Sequence, residues 1–197
     1  MRLRSPRPRS CFLGTRSIVS ATSSASESNE SSAVPELNAA AIAGVLNRHG
    51  VRYVVIGGIA AQLRNLPVPA TIDIDITPAR DQRNLERLSR AFDDLEAGLL
   101  TVDEAGTWFP RTPVDHWAQY DTLHLMTIFG PIDIVFTPDG ASAGYADLHL
   151  TSSPASLGDE RVMVISVATW ESLKLATGRA KDLEHLDRYY EARKLDE

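Results

Sequence analysis

The sequence has little of several things. It has one cysteine, Cys11, so no internal disulfide can form, and a reducing, cytoplasmic setting is expected. No apolar run approaches the ~18 residues a membrane-crossing helix needs, so no membrane partner is expected. Acid is missing from residues 1–26, which carry five arginines; the remainder holds 15 basic residues against 26 acidic, a formal charge of −11. A body that acidic argues against broad, non-specific duplex binding, which needs many phosphate-neutralising cations, while leaving room for a local basic groove. Histidine is sparse: His49, His116, His124, His149 and His185 show no metal-ligand spacing.

What is present reads as one ordinary domain behind an unlike leader. Residues 1–34 begin MRLRSPRPRS and continue through the low-complexity SATSSASESNESS, which cannot bury enough apolar surface to fold. They are expected to be a disordered basic and serine-rich tail, an upstream start-site over-call included, with a targeting segment as the alternative. The domain is expected over 35–197.

Along that body, helices are predicted over Glu36–His49, Ile59–Asn65 and Asp81–Ala97, the last capped by Asp81 with Leu85, Leu88, Phe92 and Leu95 as its apolar stripe. Strands are predicted over Val51–Ile56, Thr71–Thr77, Leu123–Phe129, Ile132–Phe136 and Arg161–Val167, with Gly130-Pro131 as the tight turn of a hairpin. Leu99–Ala118 reads as loop with at most a short strand, and Ala141–Asp147 as a short helix. Thr169–Thr177 and Lys181–Leu195 read as two closing helices, with Gly178 as a C-cap. Strands alternating with helices, with one hairpin inside the order, predict an α/β or α+β fold with a mixed sheet flanked by helices.

The chemistry starts at ATIDIDITP, residues 70–78. Alternation puts Asp73 and Asp75 on one side of a strand, about 7 Å apart at Cα. Two such carboxylates repel, and their burial is costly without a cation. Asp133, interrupting the apolar strand PIDIVFTP, supplies a third. Three strand aspartates on one side suit a pair of Mg²⁺ ions, which take carboxylate oxygens, substrate phosphates and water. The competing reading is a wet strand face on which Asp and Thr are solvated.

Gly57-Gly58 ends one strand and opens a helix, where backbone N–H groups can hold phosphate; a tight turn is the commoner reason for such a pair. Lys174, Arg179 and Lys181 in WESLKLATGRAKD can meet a triphosphate or be an ordinary cationic helix end. Arg80, Arg83, Arg87 and Arg90 make either an RNA-facing stripe or a solvated helix side. Thr71 shares the side of Asp73, so a phosphate on its hydroxyl would compete with nucleotide there, a regulatory expectation.

This order of elements resembles the nucleotidyltransferase superfamily that includes DNA polymerase beta. Over Leu37–Leu195 the Gly-Gly, Asp-x-Asp, later Asp and Lys…Arg-x-Lys-Asp run looks most like the AbiEii/MenT-like toxins of bacterial toxin–antitoxin pairs. The resemblance implies nucleotide phosphates held by Gly57, Gly58, Lys174, Arg179 and Lys181. It implies metal at Asp73, Asp75 and Asp133, and Asp182 completing the catalytic set with Asp73, Asp75 and Lys174. It further implies Mg²⁺ with Mn²⁺ as a substitute, an NTP donor (CTP or UTP), the 3′ end of tRNA as acceptor and a cognate antitoxin. The departure is Pro69, where many relatives carry arginine; the nearest arginine here is Arg64. The alternatives are transfer to a small molecule, as in antibiotic modification, or to a protein hydroxyl, and a non-catalytic binding protein of the same fold.

Overall fold

A computed structural model describes residues 35–100, 108, 109 and 120–195, all within the unit Val34–Glu197. The basic leader and Cys11 lie outside the described residues, as does most of the segment 99–118.

The order is α1 (Ala39–Arg48), β1 (Tyr53–Ile56), α2 (Gly57–Leu63), β2 (Ile74–Pro78), α3 (Gln82–Asp94), β3 (Gly98–Leu100), β4 (Trp108–Phe109), β5 (Thr122–Thr127), β6 (Gly130–Val135), α4 (Tyr145–Leu150), β7 (Ser152–Leu157), β8 (Glu160–Ile165), α5 (Val167–Thr177) and α6 (Ala180–Leu195). Helices start where short polar side chains accept orphan backbone N–H groups: Asn38 for α1, Asp81 for α3 and Ser166 for α5. Gly178, at φ 61°, ends α5 as expected.

The eight strands form one mixed sheet in the order β4-β3-β5-β6-β2-β1-β8-β7. The pairs β2–β6 and β1–β8 are parallel and the rest antiparallel. Register sorts the central strands into two faces. Tyr53, Val55, Ile74, Ile76, Ile132 and Ile134 share one face, and the Tyr53 hydroxyl reaches Asn47 of α1 across it. Ile56, Asp75 and Asp133 share the other. Leu85, Leu88, Phe92 and Leu95 are all buried, so α3 sinks the stripe its spacing predicts, and Ile42 and Leu46 of α1 are buried beside them, with Leu37 half-buried ahead of the helix.

Several sequence expectations shift; the helix expected from Glu36 starts at Ala39, and the short helix expected over Ala141–Asp147 is Tyr145–Leu150, opened by Gly144 at φ 56°. The second strand starts at Ile74, not Thr71, because β1 turns into α2 at Gly57 and β6 offers Pro131, which has no N–H, beside that segment. Asp73 therefore sits in the bend just before β2. The helix α2 starts at Gly57, two residues before its expected start at Ile59.

The β5–β6 turn is Ile128-Phe129, since Thr127 pairs with Gly130; Thr127 Oγ1 holds it by donating to the Gly130 carbonyl and accepting the Phe129 N–H. Gly130 is needed for close approach: a Cβ there would lie 2.7 Å from Leu37 Cα. Finally, β7 (SSPASL) escapes a search for hydrophobic alternation. It is a mostly exposed edge strand, where Pro154 is tolerated.

Candidate active site

Paired strands bring the carboxylates together. Asp75 and Asp133 are Cα partners across the parallel β2–β6 ladder, and Asp73 lies two residues upstream, close enough for its charge to act on both. Burial, then the charges of Asp73 and Asp133, push the Asp75 carboxyl up to about 6. Burial also raises Asp133, against the pull of a hydrogen bond from His124.

Each carboxylate has a local partner. Thr71 Oγ1 donates to Asp73 Oδ1 at 2.6 Å, which places the hydroxyl at the site. The Gly58 N–H bonds Asp75. His124 Nδ1 lies 2.8 Å from Asp133 Oδ1. The glycine pair is explained by close approach: Gly57 has φ 64°, and a Cβ on it would fall 1.9 Å from Asp75 Oδ2, while a Cβ on Gly58 would fall 2.8 Å from Thr71 Cβ.

The cations come from the two closing helices and the link between them. Asp182, 1% exposed, is clamped between Lys174 of α5 and Arg179, whose Nε donates to Asp182 Oδ2 at 2.8 Å. Burial alone would raise the Asp182 carboxyl, but the hydrogen bonds and charges of Lys174 and Arg179 hold it below the usual range. Both cations also reach the carboxylates: Lys174 acts on Asp75, and Arg179 on Asp75 and Asp133. Asp182 thus holds the cations that face the triad. Lys181 stays exposed on α6, where its charge reaches the buried His185.

Other expected cations go elsewhere. Arg64 bonds the Ile165 and Val164 carbonyls at 3.0 and 2.7 Å and Ser153 Oγ at 2.7 Å, tying α2 to β7 and β8. It is engaged in the fold and does not replace the arginine absent at Pro69. Arg87 caps the Gly50 carbonyl, Arg80 reaches the Tyr120 carbonyl, and Arg83 and Arg90 are exposed, so the four do not act as one stripe. His124 was missed because its pairing with Asp133 depends on the hairpin turn: a turn at Gly130-Pro131 would put Ile128 opposite Asp133 instead.

Among the described residues, no three His, Cys, Asp or Glu side chains form a ready metal cage. The donor set nevertheless fits Mg²⁺, which is commonly held by one or two carboxylates with water and substrate phosphates completing the shell. Three mutually repelling carboxylates with raised Asp75 and Asp133 are a set that a hard divalent cation relieves.

No family model matches the sequence, and no curated protein matches it. Among solved structures, the chain is similar to a Thermotoga maritima protein described as a "putative nucleotidyltransferase", at 18% identity, over 78% of this chain and 90% of that one, with a TM-score of 0.49.

Proposed function

We propose that the protein is a Mg²⁺-dependent nucleotidyltransferase that transfers a nucleoside monophosphate from an NTP to a hydroxyl. The observation that carries this reading is the convergence of Asp73, Asp75 and Asp133 on one face of the β2–β6 pair, within charge reach of the Lys174–Asp182–Arg179 clamp. Anionic donors on one side and cations on the other suit a triphosphate whose charge is shared between metal and protein.

Asp73, Asp75 and Asp133 would hold the ions, which when bound polarise the phosphates and lower the cost of forming an attacking alkoxide. Lys174 and Arg179, preset by Asp182, take the developing charge of the leaving pyrophosphate. Asp133, turned by His124 and made more basic by burial, is placed to accept the acceptor hydroxyl's proton. The hydroxyl oxygen bonds to the α-phosphorus as the bond to the β-phosphate bridging oxygen breaks.

The finer reading follows the sequence resemblance. The acceptor is the 3′ end of tRNA, the donor CTP or UTP, and the result a tRNA that can no longer be aminoacylated. The protein is then the toxin of a toxin–antitoxin pair, countered by a cognate antitoxin. Phosphorylation of Thr71 would silence it by placing negative charge beside Asp73, with which its hydroxyl is already bonded.

Label transfer tests the reading. Purified protein, Mg²⁺ and total tRNA are incubated with each α-³²P-NTP, with Asp73→Ala in parallel. Label on tRNA that disappears in the variant is expected. Label on the protein or on a small hydroxyl compound would move the acceptor, and no transfer to any acceptor would overturn the enzyme reading.

A further inference from the structure

A cavity of about 370 Å³, lined by none of the three carboxylates, lies between the segment that follows β2 and the exposed side of α4. Its volume lies within the range of small-ligand sites. Its walls are ordered by rings and guanidinium groups. Tyr145 and His149, one helical turn apart on α4, stack with centroids 5.0 Å apart and planes 12° apart. The Arg52 guanidinium lies 5.8 Å from the Tyr145 centroid, and the Arg80 guanidinium 4.7 Å from that of Phe136.

Asp81 fixes Arg52 from the rim while capping α3. Arg80 is anchored at its Nη2 by the Tyr120 carbonyl, and its ion pair with the exposed Asp121, at 4.0 Å, is loose. Two arginines beside a flat aromatic platform, on an otherwise acidic body, make a place for a group with both a π-face and negative charge.

Its position is the second argument. Pro78 lies three residues beyond Asp75, and Phe136 three beyond Asp133, on parallel strands. Measured along the strands the cavity is about 10 Å from the carboxylates, roughly the rise of three stacked nucleotides, with the odd offset turning the Pro78 and Phe136 side chains to the other face at the strand ends.

We infer that this cavity is an acceptor subsite that holds single-stranded RNA a few nucleotides upstream of the reacting 3′ hydroxyl. One base stacks on the free side of the His149 ring, which Tyr145 backs from the other side, and the flanking phosphates meet Arg52 and Arg80. This rests on the nucleotidyl-transfer reading above. It replaces the expected stripe of four arginines with Arg80 and with Arg52, which the sequence did not single out.

The probe is a 5′-fluorescein single-stranded RNA octamer, followed by anisotropy with the full chain, Tyr145→Leu, Arg80→Gln and His149→Leu. The last is at an exposed position and serves if either of the others lowers the melting temperature. Loss of affinity of about five- to a hundredfold is expected for the ring variants. Arg80→Gln should lower the slope of log K against log salt by about 0.7, which a merely structural role would not do. The affinity for NTP should not change.

Wild-type affinity in the folded variants, no octamer binding by the parent chain, or equal competition by a duplex of the same sequence would overturn the subsite. Transfer to tRNA with an unchanged tRNA KM in the variants would overturn the subsite alone. Ring-dependent octamer binding without transfer to any acceptor would uphold single-stranded RNA binding at the cavity and overturn its acceptor role together with the transferase reading.

Discussion

At Asp75 stability and chemistry pull apart. Its carboxyl rises from 3.8 to about 6 because burial and two neighbouring carboxylates disfavour the charge. A raised carboxyl means the folded chain binds more protons than the unfolded one between those values, so this group removes stability as pH rises from about 4 through 6. Asp75→Asn should abolish transfer yet raise stability in metal-free buffer by about 1–3 kcal/mol above pH 7, with the gain vanishing near pH 4. Urea unfolding at both pH values checks it; an equal effect at the two would remove the electrostatic explanation. Asp182 has the opposite sign. Its lowered carboxyl supplies stability above about pH 4 that is lost on further acidification. Asp182→Asn leaves the Lys174 ammonium buried without its partner and should cost about 3 kcal/mol, read as a lower urea midpoint, together with a higher NTP KM.

At the scale of elements, the hinge between β1 and α2 carries the strictest demand. Gly57→Ala would place a methyl group onto the Asp75 carboxylate in a left-handed backbone conformation. We expect a loss of about 2 kcal/mol or more from strain and displacement, with transfer reduced at least a hundredfold because the displaced group is a site carboxylate. A Gly57→Ala protein with parental melting temperature and kcat would show that the close approach is dispensable. The β5–β6 hairpin makes a second demand. His124→Ala removes the donor that turns Asp133, so kcat should fall about tenfold or more while the melting temperature, set by the buried neighbours Leu123 and Leu125, hardly moves.

Across the whole molecule, the core includes buried residues of α1 and α3, of α2, and of the closing helices at Trp170 and Leu186, while the site lies on the Asp75 and Asp133 face of the central strands β2 and β6. His185, buried on α6, is lowered first by its burial and then by Lys174 and Lys181. A lowered histidine contributes stability that is present above about 6.5 and lost as pH falls through that value. Asp75→Asn removes the Asp75 slope but keeps that of the raised Asp133, so between pH 4 and 7 its stability should change with pH in a more positive direction than the parent's in thermal unfolding followed by circular dichroism.

Among the described residues, no helix is long and apolar enough to cross a membrane, in line with the absence of apolar runs. Local patterning was sufficient for most helices and strands other than β7, the mixed sheet, the apolar stripe of α3 and the Asp81 and Gly178 caps, because each depends on spacing within a dozen residues. Partnership across the chain was not legible in that way. Whether Asp75 meets Asp133, whether His124 or Ile128 stands opposite Asp133, and whether Arg64 and Arg87 serve a ligand or the fold depend on strand register and on which carbonyls are left without donors. The composition of the sequence by itself determined a chain with an acidic body and an α/β pattern carrying paired carboxylates. Only the tertiary structure set the Lys174–Asp182–Arg179 clamp beside them, because the packing of the two closing helices is what buries the Asp182 carboxylate against Lys174.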